Sequence, residues 1–260
     1  MAVKRILQPA LVALICTAAS SGAMAQSRAD GLWRGSGGAA LSASSGNTTS
    51  SSLLLNADAA RETASDKISL GGTINYAKSR IDGVDQTTAN KWAGRGEYDY
   101  NLSPRTFVFG KLGLEADKVI DLSLRSSLAG GMGYKLVNTE TMTFDLFGGL
   151  GYTTDRYSVA QTIGSKTDTR FSRASVYLGE ASTHQLTPTV SLKQRLDLYP
   201  GVSGDKAVLA TFNAGLSVAM STTMSLTVGL TDSYNSKPPL GTKSNDLGLF
   251  TGINVKFGAK

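Results

Sequence analysis

Leu247-Gly248-Leu249-Phe250-Thr251-Gly252-Ile253-Asn254-Val255-Lys256-Phe257-Gly258-Ala259 is the stretch that decides the fold class. Leu247, Leu249, Ile253, Val255, Phe257 and Ala259 fall on one face with Thr251. Gly248, Gly252, Asn254, Lys256 and Gly258 fall on the other, joined by Phe250. Side chains alternate between the two faces of a strand with period two, whereas a helix would group positions three and four apart. The segment therefore reads as a strand with one apolar and one small or polar face.

The same alternation recurs upstream. Leu122, Leu124, Leu128, Met132, Tyr134 and Leu136 oppose Ser123, Arg125, Ser127, Ala129, Gly131, Gly133 and Lys135, and Met142, Phe144, Leu146, Leu150 and Tyr152 oppose Thr143, Asp145, Gly149 and Gly151. Val208, Phe212, Leu216 and Val218 stand against Thr211, Asn213 and Ser217. Abundant Gly, Ser and Thr weigh further against long helices. Applied to the whole chain, the pattern predicts strands near 32–44, 49–62, 67–80, 87–102, 106–118, 122–137, 142–157, 170–186, 189–199, 207–220, 224–235 and 247–259.

Twelve strands alternate two kinds of connection. Tight turns are expected after even-numbered strands, at Ser65-Asp66, Leu102 to Arg105, Asn138 to Thr141, Thr187-Pro188 and Ser221 to Thr223. Longer loops are expected at Ile81 to Gln86, Ser158 to Thr169, Pro200 to Lys206 and Ser236 to Asp246. Short turns on one rim and long loops on the other suit an antiparallel up-and-down transmembrane β-barrel with both termini in the periplasm. A soluble lipocalin-like barrel or a β-sandwich would also give regularly spaced strands. However, twelve strands enclose more space than side chains usually fill, so an apolar interior that large would need a ligand or a plug. Trp33, Trp92, Tyr98, Tyr100, Tyr134, Tyr152 and Tyr234 are candidates for interfacial girdles. The chain ends Phe257-Gly258-Ala259-Lys260 rather than on an aromatic residue, which shifts the expected insertion signal inward.

The first 25 residues read as a secretory signal: basic Lys4 and Arg5, an apolar core from Leu11 to Ala19, and Ala23-Met24-Ala25 before Gln26. The apolar core is too short to cross a bilayer of about 30 Å as a helix. Cleavage is expected between Ala25 and Gln26, leaving a single barrel domain over 26–260. The only cysteine, Cys16, goes with the leader, and Ile15 before it does not suit a lipidation site. The mature chain thus has no cysteine for a disulfide or a thiolate. Losing Lys4 and Arg5 takes the formal charge from +6 to +4. That charge is spread along the chain, with no basic run to track a phosphate backbone, so no nucleic-acid partner is expected.

Short motifs carry a family resemblance. Gly35 to Ser50 with the turn Ser45-Gly46-Asn47-Thr48-Thr49, then Glu97-Tyr98-Asp99-Tyr100, Arg105 to Gly110, Asp117, and Arg125 to Tyr134 ending Ala129-Gly130-Gly131-Met132-Gly133-Tyr134 resemble the uncharacterised salt-induced outer-membrane protein family. The resemblance implies an outer-membrane barrel and brings no activity or catalytic residues.

Among chemical constellations, Glu180, Ser182 and His184 share a face at alternate positions, the residue types of an activated nucleophile in a lipid hydrolase. Alternate positions lie about 6.5 to 7 Å apart at the backbone, so a Ser-His contact requires both side chains to lean together. One histidine and no mature cysteine leave no metal site and no cofactor is expected. Gly130-Gly131-Met132-Gly133 and Gly148-Gly149-Leu150-Gly151 lack the Lys-Ser/Thr of a phosphate loop. They are expected to relieve crowding on the inner wall.

The best functional clue is the charge on the face opposite the apolar one. Arg34, Asp58, Arg95, Glu97, Asp99, Lys111, Glu115, Asp117, Arg125, Lys135, Asp145, Arg173, Lys193, Arg195 and Asp197 are expected to line or fill the lumen. Paired across the lumen, they would stiffen a closed structural barrel. Separated by water, they would line a narrow pore for small charged solutes. A periplasmic ligand-binding barrel is the alternative. Expected partners are outer-membrane lipid and the barrel-insertion machinery.

Overall fold

The computed structural model describes residues 29–44, 49–81 and 84–259. The leader and its expected Ala25/Gln26 cut lie outside the described residues. Twelve strands form among them: β1 (Trp33–Ser44), β2 (Thr49–Glu62), β3 (Asp66–Ile81), β4 (Val84–Asn101), β5 (Thr106–Asp117), β6 (Leu122–Asn138), β7 (Met142–Ile163), β8 (Lys166–Gln185), β9 (Val190–Pro200), β10 (Val208–Ala219), β11 (Met224–Asn235) and β12 (Asn245–Gly258). Each pairs antiparallel with its sequence neighbours, and β1 pairs with β12 from Arg34↔Gly258 to Ala39↔Ile253. The sheet closes into a barrel, so each strand is paired on both sides through its middle.

Among the described residues no helix is long and apolar enough to cross a membrane. The strands carry the apolar surface instead. Leu55, Leu70, Ile74, Leu112, Leu128, Met132, Leu150, Leu178, Leu216, Val228, Leu249 and Ile253 are all exposed on the outer face. A water-soluble barrel would turn such a face inward, so the exterior is built for lipid. Aromatic belts bound it: Trp33, Tyr98, Tyr100 and Tyr134 near one rim, and Tyr76, Trp92, Tyr152 and Tyr234 near the other, all exposed. At a strand tilt of about 40°, Trp92 and Tyr100 on β4 lie about 20 Å apart along the barrel axis, close to an outer-membrane apolar band.

The rim that carries both described ends of the chain is closed by five short turns with one chemistry. Thr63, Ser103, Thr139, Thr187 and Ser221 each open a turn, and each hydroxyl accepts a backbone N–H three residues on, from Asp66, Thr106, Met142, Val190 and Met224. In every turn the opening residue's N–H also bonds the carbonyl of that same partner. Ser and Thr favour this local bonding over continued strand, which is why the sheet reverses there.

The opposite rim departs from the sequence expectation. Strand pairing runs on into the stretches expected as the loops Ile81 to Gln86 and Ser158 to Thr169: β3 and β4 stay paired up to Ile81↔Val84, and β7 and β8 up to Ile163↔Lys166. Two hairpins therefore project beyond the barrel. Polar residues such as Lys78, Arg80, Asp85, Gln161 and Asp168 predominate there, so the apolar alternation fades although the backbone ladder continues. Inside the second hairpin, Leu122, Tyr157, Ile163 and Phe171 form a small buried cluster with Ile120 against it. Ile120 belongs to a one-turn 3-10 helix, Lys118–Ile120, which replaces a plain loop between β5 and β6.

Candidate functional site in the barrel lumen

Period two fixes which residues face inward once one is known, and the ladders propagate that parity around the barrel. The inner face carries every lumen-predicted charge, at three levels. At the rim of short turns Arg34 binds Asp30, and Lys135 donates to Asn101 at 3.0 Å and lies over the Phe107 ring. Asp99 is buried there, with Lys67, Arg195, Glu97 and Asp145 the charges acting on it.

At mid-height Arg195 of β9 forks onto Glu97 of β4 with contacts of 3.1 and 2.5 Å. It also reaches Asp197, which takes Lys111 Nζ at 2.5 Å and the Tyr177 hydroxyl at 2.5 Å. In a circular barrel of twelve strands β4 and β9 would stand about 23 Å apart, beyond the combined reach of Arg and Glu. The section is therefore oval here, and Arg195–Glu97 forms a crossbar through the lumen. On one side of it the interior is filled. Phe107, Phe109, Phe147, Tyr177, Tyr199 and Leu209 pack as one cluster, with Phe147 meeting Phe107 and Phe109 edge-on at 5.4 Å between centroids. Arg195 lies over the Phe147 ring and Lys111 over Tyr177, so aromatic faces and cations alternate. Gly133 is required beneath this cluster, because a Cβ would enter the Phe107 ring.

On the other side of the crossbar the wall from β10 through β12 to β3 carries mostly small neutral polar groups, with one inward ring, Phe250, lying over Gly229. Ser217 and Thr227 hydroxyls meet at 2.7 Å, Asn254 Nδ2 donates to Thr227 at 2.7 Å, and Asn56 Nδ2 donates to Asn254 Oδ1 at 3.3 Å. Beside this ladder Arg95 pairs with Asp58 across Gly71, where a Cβ would strike both side chains. The two are 50% and 46% exposed although they point inward from mid-strand. Lys111, Glu97 and Asp197, across the crossbar, are only 8%, 9% and 11% exposed. Lys193 of β9 is also exposed, facing Asp58.

At the rim of projecting hairpins a second ionic cluster lies under the mouth. Arg125 forks onto Asp155 at 2.7 and 3.2 Å and approaches Glu115 at 3.7 Å, which also takes Lys91 at 3.2 Å. Arg173 reaches Asp155 at 2.6 Å and pairs with Asp205. Asp117 caps the short helix instead, accepting the Val119 N–H at 2.9 Å. Asp205 belongs to the β9–β10 connection and its side chain is 8% exposed, so that loop bends inward.

Glu180, Ser182 and His184 face the lipid side. His184 Nε2 does meet Ser182 Oγ at 3.2 Å, but Glu180 accepts from Gln194 rather than orienting the imidazole. Ser182 is 3% exposed, which closes it to a substrate. Among the described residues no group of three or more His, Cys, Asp and Glu is placed to hold a metal.

Sequence reasoning did not single out Lys67, Lys256, Asp205 or the aromatic filling. Phe107, Phe109, Phe147, Tyr177 and Tyr199 share the inward parity of Lys111, Asp145, Arg173 and Asp197, and that parity is the signal by which a sequence could place them.

A family model described as "Protein of unknown function, DUF481" matches residues 37–257. The chain belongs to the DUF481 family. It is also 25% identical over 201 residues to the uncharacterized protein YdiY of Escherichia coli (strain K12), covering 76% of this chain and 72% of that protein. Solved structures with similar folds include the COG4313 outer membrane channel from Pseudomonas putida F1, at 12% identity and a TM-score of 0.48 over 89% of this chain and 97% of that one. The NanC porin follows at 11% and 0.43, over 87% and 97%, and the translocator domain of the autotransporter NalP from Neisseria meningitidis at 10% and 0.42, over 89% and 90%. The fold assignment rests on the strand ladders of this DUF481 chain, not on these likenesses.

Proposed function

We propose that this DUF481 barrel is a narrow, off-centre channel of a Gram-negative outer membrane, with no catalytic role. The carrying observation is the contrast across the crossbar: Arg95 and Asp58 are half exposed in mid-barrel, whereas Lys111, Glu97 and Asp197 are nearly closed off. Water-accessible charges at that depth imply a hydrated path beside the filled half. Its wall of hydroxyls and amides suits small polar or charged solutes.

The lipid-facing band and its belts support an outer-membrane setting, with the short turns in the periplasm and the projecting hairpins outside. Export with cleavage between Ala25 and Gln26, insertion by the barrel-assembly machinery and contact with outer-membrane lipid belong to the same reading, as does the salt-induced designation. N-terminal sequencing of the protein from outer-membrane fractions checks the cut, and its abundance against external NaCl checks the designation. Purified, refolded protein in planar bilayers tests the function: discrete ion steps are expected. A silent bilayer would favour a closed structural barrel, which the Arg125–Asp155–Arg173–Asp205 cluster under the mouth would then seal.

A further inference from the structure

β9 and β2 are separated by four strands in one direction and six in the other, so they face each other across the lumen. Lys193 projects from β9 toward Asp58 of β2, whose carboxylate is already taken by Arg95. The charges acting on Lys193 are Asp58, Lys67 and Lys256, two of them positive. Lys193 and Lys256 are both exposed and form no salt bridge among the described residues. On β10 and β11 the inward positions hold Thr211, Asn213, Gly215, Ser217, Ser225, Thr227, Gly229 and Thr231, all uncharged. The inward acids on the remaining elements are accounted for. Glu62 sits at the end of β2, Asp99 is buried, Asp145 faces Lys67 and Lys135, and Asp246 lies at the projecting-hairpin end of β12, about 33 Å along the strand from Lys256. Between β9 and β2 the open half of the lumen thus carries a salt-bridged pair, Asp58–Arg95, plus two lysines outside any salt bridge.

We propose that the passage is selective for small anions, and that Lys193, assisted by Lys256, sets this selectivity at the narrow section between β9 and β2. The proposal rests on the channel reading. Lysines held in a water-filled constriction attract anions and repel cations without binding either tightly, as conduction requires. In water a unit charge about 7 Å from a passing ion changes its energy by about RT. Reversing Lys193 therefore shifts the anion-to-cation permeability ratio roughly fivefold or more, even with partial salt screening.

The test is the reversal potential of refolded protein in planar bilayers under a KCl gradient. Chloride preference is expected for the native chain. Lys193→Glu should bring the ratio down roughly fivefold or more, Lys193→Gln roughly twofold, and Lys256→Glu in the same direction. Lys166→Glu, at the tip of the β7–β8 hairpin, should leave it unchanged. The neutral Lys193→Gln keeps the test valid if the charge reversal fails to fold. Potassium preference, or a ratio indifferent to both Lys193 variants, overturns the selectivity while leaving the channel standing. A complete absence of ion steps overturns the channel reading and the selectivity with it.

Discussion

Asp155→Asn isolates the energetic worth of the ionic cluster under the mouth. Asp155 is fully buried, Arg173 is 2% exposed and Arg125 14%, and three hydrogen bonds of 2.6 to 3.2 Å join them. Replacing the carboxylate by an amide keeps the volume but removes the negative charge between two guanidinium groups. Breaking a buried ion pair on one side costs about 3 to 5 kcal/mol, because the stranded charge is uncompensated. Here each arginine keeps a second acid, Glu115 for Arg125 and Asp205 for Arg173, so the lower end applies, about 3 kcal/mol. That is a change of more than a hundredfold in the folding equilibrium, given about 1.4 kcal/mol per factor of ten. The assay is urea unfolding of the barrel refolded in lipid vesicles, followed by fluorescence. Its only two tryptophans, Trp33 and Trp92, sit in opposite lipid-facing belts and report on insertion. Asp85→Asn, in an exposed pair with Arg80 at the β3–β4 hairpin, serves as the control and should not move the midpoint. A loss below about 1 kcal/mol for Asp155→Asn would refute the reasoning, since the cluster would then be solvated rather than sealed.

Two further outcomes follow from local chemistry. Ser103→Ala removes the hydroxyl that accepts the Arg105 and Thr106 N–H groups and should cost about 1 kcal/mol in the same assay, a neutral result counting against the turn mechanism. The Arg34 guanidinium beside Asp30 holds that carboxyl well below the usual carboxylate range. Because the folded value is the lower one, this tether is intact at neutral pH and is lost only as pH falls through the depressed value. Amide exchange at Gly31, which bonds Glu62 O, should therefore stay slow through pH 4 and quicken only in stronger acid.

How much was legible in the sequence depends on which physical signal carried it. The strands were readable because a barrel in lipid turns one whole face apolar, and period two survives along Leu122 to Leu136 and Leu247 to Ala259. The signal faded where the chain leaves the membrane, as in Ser158 to Thr169, since a hairpin in water needs no continuous lipid-facing row and keeps only the isolated Ile163 of its small inner cluster. Inward parity was readable for the charges, but pairing was not. Arg195–Glu97 and Lys111–Asp197 join residues 98 and 86 positions apart, and that meeting depends on the closure of the barrel and its oval section. The crossbar and the aromatic filling are properties of the enclosed space, and no single strand records them.

The contrast between the two halves of the lumen is measured by single cysteines introduced into a chain whose own cysteine, Cys16, is replaced by serine. Asn56→Cys faces the open half, Ala181→Cys faces the aromatic cluster, and Ala57→Cys faces lipid. A small, charged, water-soluble thiol reagent applied to the inserted protein should modify Asn56→Cys rapidly and lower its conductance, while leaving the other two unmodified. Equal protection of Asn56→Cys and Ala181→Cys would mean a lumen filled on both sides of Arg195–Glu97 and would contradict the channel.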